Sequence, residues 1–356
     1  MMRYSTHSVN ELSAEHWAIW SSVLEEQPSL NVPFLRPEFT QLVGGVRSDV
    51  EVAVIEQNNE LVGFFPFQRN GRQAHAVVGR LSECHGAIVQ EGIDWDAAEM
   101  FRACGLRSWH FDHLPSTQVE FSRFSWGTKP SPYLDLSEGY ETYRERLKSS
   151  GSSLSQAERK TRKLEREQGT LRFEWHTEED SVLEQLIAWK SAQHRRTGVL
   201  EIFEHDWVCQ LLKNARATQT GQFSAPMSAL FAGDRLIAAH LGLCTRSNLH
   251  LWFPAYDSEF HRYSPGLIML LMMAQAASER GITRFELGPG EEPYKQQFKS
   301  GDHMIHEGIA GPQGLTSTCR SVWYHTKRSI RSSRYRNYLE VPLNTTRRFR
   351  QWIAFR

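Results

Sequence analysis

Residues 253–298 read FPAYDSEFHRYSPGLIMLLMMAQAASERGITRFELGPGEEPYKQQF, and the order of elements in them decides the fold. Ser264 suits a helix N-cap, Pro265 the first helical position, Arg280 the last turn and Gly281 the position just beyond it. The spacing therefore predicts a helix over 264–280. Being apolar nearly all round, it is expected to be buried against a sheet. Its N-terminus offers backbone amides and a positive dipole end, which suits a phosphate or pyrophosphate; a capped core helix that binds nothing is the alternative. Strands Asn248–Pro254 and Thr283–Leu287 bracket the helix. Directly after the second strand, Gly288-Pro289-Gly290 and Pro293 make a tight loop at a strand's carboxyl end, where open α/β sheets place ligands. Glu286, Glu291, Glu292, Tyr294 and Lys295 crowd this loop. Together they can bind an amine, move its proton or hold an anion, or they can be solvated loop residues.

Working outward, Met227–Phe231, the turn Ala232-Gly233-Asp234, Leu236–Leu243 and Asn248–Pro254 read as an antiparallel meander. Strand Leu171–His176 and helices Glu178–Arg196 and His205–Ala217 precede it. Gly139–Glu167 is charged and lacks proline, with Ser149–Ser153 (SSGSS) interrupting it, so two helices are expected. Arg159, Lys160, Arg162, Lys163 and Arg166 make the second one basic, either as a solvated face or as a contact for a phosphate. Lys129-Pro130-Ser131-Pro132 reads as a turn-rich domain boundary. The first 135 residues begin with a helix over Glu11–Leu24, which Pro28 and Pro33 end. A hairpin of Val50–Ile55 and Leu61–Phe67 turns at Gln57-Asn58-Asn59. Strands at Val77–Leu81, Ala87–Val89 and Ser108–Phe111 and a helix at Asp96–Cys104 complete a plan that both halves share.

The chain has 356 residues, 40% hydrophobic and 23% charged, which predicts about two globular domains and excludes a disordered or collagenous protein. Its longest apolar run, Gly266–Ala277, is short of the roughly 18–20 residues that cross a bilayer. The first twenty residues lack the apolar core of a secretory signal, so a cytoplasmic location is expected. Cys84, Cys104, Cys209, Cys244 and Cys319 are odd in number and form no C-x-x-C pair, so neither a disulfide framework nor a metal site is expected. Basic and acidic residues balance at 41 each, yet Arg320–Arg356 holds ten Lys or Arg and one acid. That segment interleaves Trp323, Tyr324, Tyr335 and Tyr338 with arginines. It suits an anionic membrane surface or polymer, or a terminal helix docked on the body.

The order IAAHLGL (Ile237–Leu243), FPAYDSEFHRYSPG (Phe253–Gly266), apolar helix, FELGPGEEPYKQQF (Phe285–Phe298) resembles the CelD/BcsL-type proteins of the GNAT acyltransferase superfamily. These carry a BioF2-like acetyltransferase domain and are related to the FemAB peptidyltransferases. Arg144–Phe173 is similar to the segment that opens this domain, and PFLRPEF (Pro33–Phe39) to part of the family's N-terminal half. The family usually has Asp at the place of Glu286 and often a basic or polar residue at that of Pro289. Its glycine-rich pyrophosphate loop is reduced here to Ser264-Pro265-Gly266.

The resemblance implies an α+β fold of two GNAT-like domains, 1–138 and 139–312, each a mixed, largely antiparallel sheet flanked by helices, with a basic tail at 313–356. It implies an acyl-CoA, acetyl-CoA foremost, as co-substrate, bound at Tyr263, Ser264, Pro265 and Gly266. The acceptor would be an amine such as an amino sugar, often nucleotide-linked, in exopolysaccharide or cell-envelope synthesis. Acyl transfer needs a base for the amine and a donor for the oxyanion. His240, Asp257 and Glu286 are the candidate bases, although His240 also reads as a core histidine and Asp257 as a turn residue. Tyr294 would protonate the leaving thiolate, and Lys295 would neutralise the oxyanion or an acidic substrate. Two other readings are a FemAB-like transferase dependent on aminoacyl-tRNA, and a non-catalytic accessory protein of a polysaccharide synthase anchored by the tail at the inner face of the membrane.

Overall fold

The computed structural model describes residues 1–151 and 153–311. β1 (Met2–Ser8) leads into α1 (Ala14–Glu26), whose cap Ser13 accepts a hydrogen bond from the His16 amide, and α2 (Pro37–Gly44) starts on its proline. β2 (Val50–Gln57) and β3 (Glu60–Asn70) pair as a hairpin. Asn58 (φ 53°) and Asn59 (φ 68°) supply the left-handed pair that a two-residue hairpin turn requires. β4 (Gln73–His75), β5 (Ile88–Val89), α3 (Ala97–Ala103), β6 (Ser108–Pro115) and β7 (Ser125–Asp135) complete the first half.

The second half runs α4 (Tyr140–Ser149), α5 (Leu154–Gln168), β8 (Leu171–Glu174), α6 (Asp180–Thr197), α7 (Asp206–Ala217) and the meander β9 (Met227–Ala232), β10 (Arg235–Cys244) and β11 (Asn248–Tyr256). It ends with α8 (Pro265–Glu279), β12 (Arg284–Glu286), α9 (Pro293–Phe298) and β13 (Gly301–Ala310). Helix α8 stops where expected, with Gly281 left-handed at φ 77° just past the Arg280 cap.

The fold is α+β, but the strands form one 13-stranded mixed sheet rather than a sheet in each half. Its order is β1-β2-β3-β4-β6-β13-β7-β12-β11-β10-β9-β8, with β5 beside β3. β13, last in the described chain, lies between β6 and β7, and β7 lies between β13 and β12, so the halves are joined edge to edge.

Two local expectations are corrected. Lys129-Pro130-Ser131-Pro132 is not a turn; it is the middle of β7, paired with Met304, Asp302 and their neighbours on β13. A strand tolerates these prolines because of their direction. Pro132 turns its carbonyl to the β12 side, where it accepts from the Leu287 amide (2.9 Å), so its missing N–H also faces that side. β12 reaches only Tyr133–Asp135, so Pro130 and Pro132 leave no ladder donor missing. Val77–Leu81 is likewise not a strand. Val78 (φ 57°) and Gly79 (φ 55°) are both left-handed, and a short turn follows over Gly79–Leu81. The Trp252 indole donates to the Leu81 carbonyl (2.8 Å) and ties this segment of the first half onto β11.

Around the meander, α2, α6 and α7 cover one face, while α4, α5 and α8 cover the other. A third cluster, rich in Phe and Trp around Trp109 and Phe121, fills the first half, and α1 packs on that half's other face through Trp20. Among the described residues no helix is long and apolar enough to cross a membrane. The basic tail expected at 313–356, with Cys319, lies outside the described residues.

Candidate active site

β11 and β12 run parallel but pair over three positions only, Asn248 with Arg284, Leu249 with Phe285 and His250 with Glu286. Beyond His250, β11 continues to Tyr256 beside β10, while β12 turns away into the loop 287–292. The sheet therefore opens into a fork, with α8 on one face and α6 and α7 on the other.

On the α8 face, Pro265 occupies the first helical position as expected. Ser264 sits at the cap, but in the left-handed region (φ 57°, ψ 55°), and its side chain caps no helix amide. Instead the Ser264 hydroxyl accepts from the Lys160 ammonium of α5 at 2.7 Å. Gly266 is exposed beside the Tyr256 ring, whereas Tyr263 is buried, its phenol donating to Glu167 at 2.7 Å. Tyr263 thus ties the turn before α8 to α5. Among the described residues no carboxylate pairs with Lys160. An ammonium at the positive end of a helix dipole is unfavourable on its own and becomes favourable when an anion sits between them.

At the fork itself, buried Glu286 hydrogen-bonds His303 of β13 (2.8 Å), whose ring stacks on Tyr133. Lys295 is also buried. Its ammonium donates to the Gly288 and Pro289 carbonyls, both at 3.2 Å, and lies 3.4 Å from Glu292, so it clamps the loop shut. Tyr294 is half-buried, and burial, with Glu292 and Glu83 nearby, pushes its phenol up, so it stays protonated.

The remaining two expected bases lie further off. His240, one strand inside the fork opposite Pro254, is fully buried, and neither ring nitrogen has a hydrogen-bond partner. Burial, helped by His250 and Lys190, lowers it to about 3, so it is a neutral imidazole at neutral pH. Asp257 closes the turn after β11, bonding the Glu259 amide (2.9 Å) and Arg235 (2.6 Å).

Three further groups at the fork carry no signal in the sequence. The Glu83 carboxylate reaches over from the first half and accepts from the His250 ring at 2.6 Å. Burial works to raise that carboxyl, but the hydrogen bond and charge of His250, with His113 and Lys295 beyond, outweigh it and hold it below its ordinary range. Lys190 of α6 bonds Gln193 on its own helix (3.3 Å), and burial together with Lys295, against the pull of Glu83, lowers it to about 8. Glu83 lies 167 residues from His250, so neither periodicity nor local spacing could have joined them.

One cluster of metal-ligand type exists among the described residues, in which ligand atoms of His85, Asp112 and His113 lie within 4.8 Å of one another. The Nε2 atom of His85 already accepts the backbone amides of Asp112 and His113, both at 3.1 Å. That nitrogen serves the backbone, and an ion would have to displace two N–H donors.

Residues 151–296 match the model of the family described as Acetyltransferase (GNAT) domain. The matched segment contains α8, the fork and the loop. A comparison with curated proteins gives no match. Among solved structures, the C-terminal domain of a candidate lysylphosphatidylglycerol synthetase from Agrobacterium fabrum is similar at TM-score 0.54 and 14% identity, over 89% of this chain and 97% of its own. A tandem GNAT protein from the clavulanic acid biosynthesis pathway is similar at TM-score 0.50 and 10% identity, over 88% of this chain and 100% of its own. At these identities the likeness is one of fold: one long mixed sheet resembling a tandem GNAT protein.

Proposed function

We propose that the chain is an acyl-CoA-dependent N-acyltransferase whose donor lies at the N-terminus of α8 and whose reaction takes place in the fork between β11 and β12. One observation carries this reading: the Lys160 ammonium rests on Ser264 at the positive end of α8 (2.7 Å) with no carboxylate partner among the described residues. Both charges call for the same anion, and the diphosphate of a coenzyme A thioester supplies one. From there the pantetheine arm follows the open edge of β11 toward His250 and Glu286. The acceptor amine enters from the α6 face. Once neutral, it attacks the thioester carbonyl, and the C–S bond breaks as the amide forms. Tyr294, kept protonated, serves as proton donor to the thiolate, and Lys295 holds the loop that shapes this corner.

For the acceptor we take an amino sugar, free or nucleotide-linked, in exopolysaccharide or envelope synthesis, on the strength of the sequence resemblance. The charge of residues 313–356 supports contact of the tail with an anionic membrane surface or a polysaccharide synthase. Calorimetric titration with acetyl-CoA and longer acyl-CoAs tests the donor site. Saturable binding is expected, weakened about tenfold by Lys160→Ala, the loss of one charge-assisted contact, and abolished by Ser264→Glu. Absence of heat with every acyl-CoA on the unaltered chain would overturn the reading.

A further inference from the structure

The acetyltransferase match begins at residue 151, yet the fork is completed by a residue of the first half. We propose that His250 is the proton acceptor of the acyl transfer and that Glu83, supplied by the N-terminal half, is the positioning residue that holds its ring and tautomer. The proposal rests on the donor-site reading above and deepens it.

Four observations converge. His250 is the last residue of β11 still paired with β12, opposite Glu286, so it stands where the strands part. Its Nε2 is fixed at 2.6 Å from the Glu83 carboxylate. A carboxylate only accepts, so Nε2 carries the hydrogen and Nδ1 keeps its lone pair; among the described residues nothing hydrogen-bonds Nδ1. The ring is buried and packs perpendicular to the Phe34 ring (centroids 4.8 Å apart), which limits its rotation.

The Glu83 segment is built for this placement. The left-handed Val78-Gly79 pair reverses the chain, and the Trp252 indole holds the Leu81 carbonyl two residues before Glu83. Gly288, left-handed at φ 69°, carries no Cβ where one would overlap the Glu83 carboxylate. A β-branched residue in the left-handed region is costly, and here its consequence is a carboxylate delivered across the sheet junction.

An acceptor ammonium gives one proton to Nδ1 of His250. Its nitrogen lone pair then bonds to the thioester carbon, the C–S bond breaks with its electron pair on sulfur, and the second N–H proton goes to the thiolate through the Tyr294 phenol. The imidazolium, stabilised by Glu83, releases its proton to solvent. The charged and titratable groups that face the pair are Lys190 on α6, His240 on β10, Glu286 on β12, Tyr294 and Lys295 on α9, and His113 on β6.

The test uses the full chain with acetyl-CoA, following thiol release with glucosamine and with water as acceptors between pH 5.5 and 9.5, beside calorimetric binding of acetyl-CoA. Expected are donor binding within about threefold of the unaltered chain for Glu83→Gln and His250→Gln, and thiol release down about 100-fold for His250→Gln, the scale of a lost general base. Glu83→Gln is expected to slow release about tenfold and to move the acid limb of the rate to lower pH, because the imidazolium loses its counter-charge; Glu83→Asp should restore part of both. Should His250→Gln fail to fold, the Gln and Asp variants of Glu83 carry the test. Intact binding with unchanged rates, or an acid limb that Glu83→Gln leaves in place, overturns the pair but not the donor site. Donor binding with no thiol release from the unaltered chain overturns the catalytic assignment of His250. No acetyl-CoA binding at all overturns the donor site itself.

Discussion

His240 and Gly288 carry opposite lessons about single positions. The His240 ring is fully buried with both nitrogens unbonded, and burial, His250 and Lys190 lower it to about 3. In the unfolded chain an imidazole titrates near ~6.5. Between those values the unfolded state binds one more proton than the folded state, so stability is full above the unfolded value and is lost as pH falls, by about 1.4 kcal/mol per unit. His240→Leu removes this penalty without breaking a hydrogen bond. Urea unfolding should show the variant within about 1 kcal/mol of the parent at pH 7 and about 1–2 kcal/mol more stable relative to it at pH 5. A large loss at pH 7 would mean that the nitrogens are bonded after all. Gly288→Ala acts through backbone and contact together, since φ is 69° and a Cβ there meets the Glu83 carboxylate. A cost of about 1–3 kcal/mol in urea unfolding is expected, and with it loss of the Glu83–His250 contact, visible as a shifted His250 imidazole resonance.

At the scale of elements, what could be read in the sequence was what short-range physics writes there. The limits of α8 follow from Pro265, Arg280 and Gly281, and the meander from apolar runs broken at Gly233 and near Ser247. The loop after β12 was legible from its glycines, and Glu286, Tyr294 and Lys295 do gather near the fork. Nothing local marks β1, β7 or β13 so clearly. In β7 the prolines read as a turn, and only the direction of the Pro132 carbonyl, set by a partner 155 residues away, explains their place in a strand. That direction alternates, so Ser131, paired with His303, presents its amide to β13. Ser131→Pro should therefore cost about 3 kcal/mol or more, while Pro130→Ala should cost under about 1 kcal/mol. Thermal melts of the two variants compare these directly; equal losses would show that the strand's orientation is misassigned.

At the scale of the whole molecule, the sheet order makes the two halves hard to separate. β13 is bonded to β6 on one side and to β7 on the other, and β7 touches β12. Taking away residues 139–311 leaves β6 and β7 facing a lane two strand spacings wide, about 10 Å, with two unpaired edges and the Phe111 face uncovered. The apolar cluster around Trp109 includes Ala310 of β13, so the first half also loses part of its core. The Glu83–His250 contact crosses the same junction. The boundary expected at 138/139 therefore falls inside one continuous sheet. Heating the full chain should then give one cooperative transition. Residues 1–138 made alone should aggregate or stay unfolded by circular dichroism and size exclusion, and mixing them with separately made 139–311 should recover a soluble complex of the full chain's size. A first half that is monomeric, folded and as heat-stable as the full chain would mean that β13 closes the sheet without holding it. In that case Glu83 would be carried to the fork by an independent domain, and acetyl-CoA binding by 139–311 alone should survive.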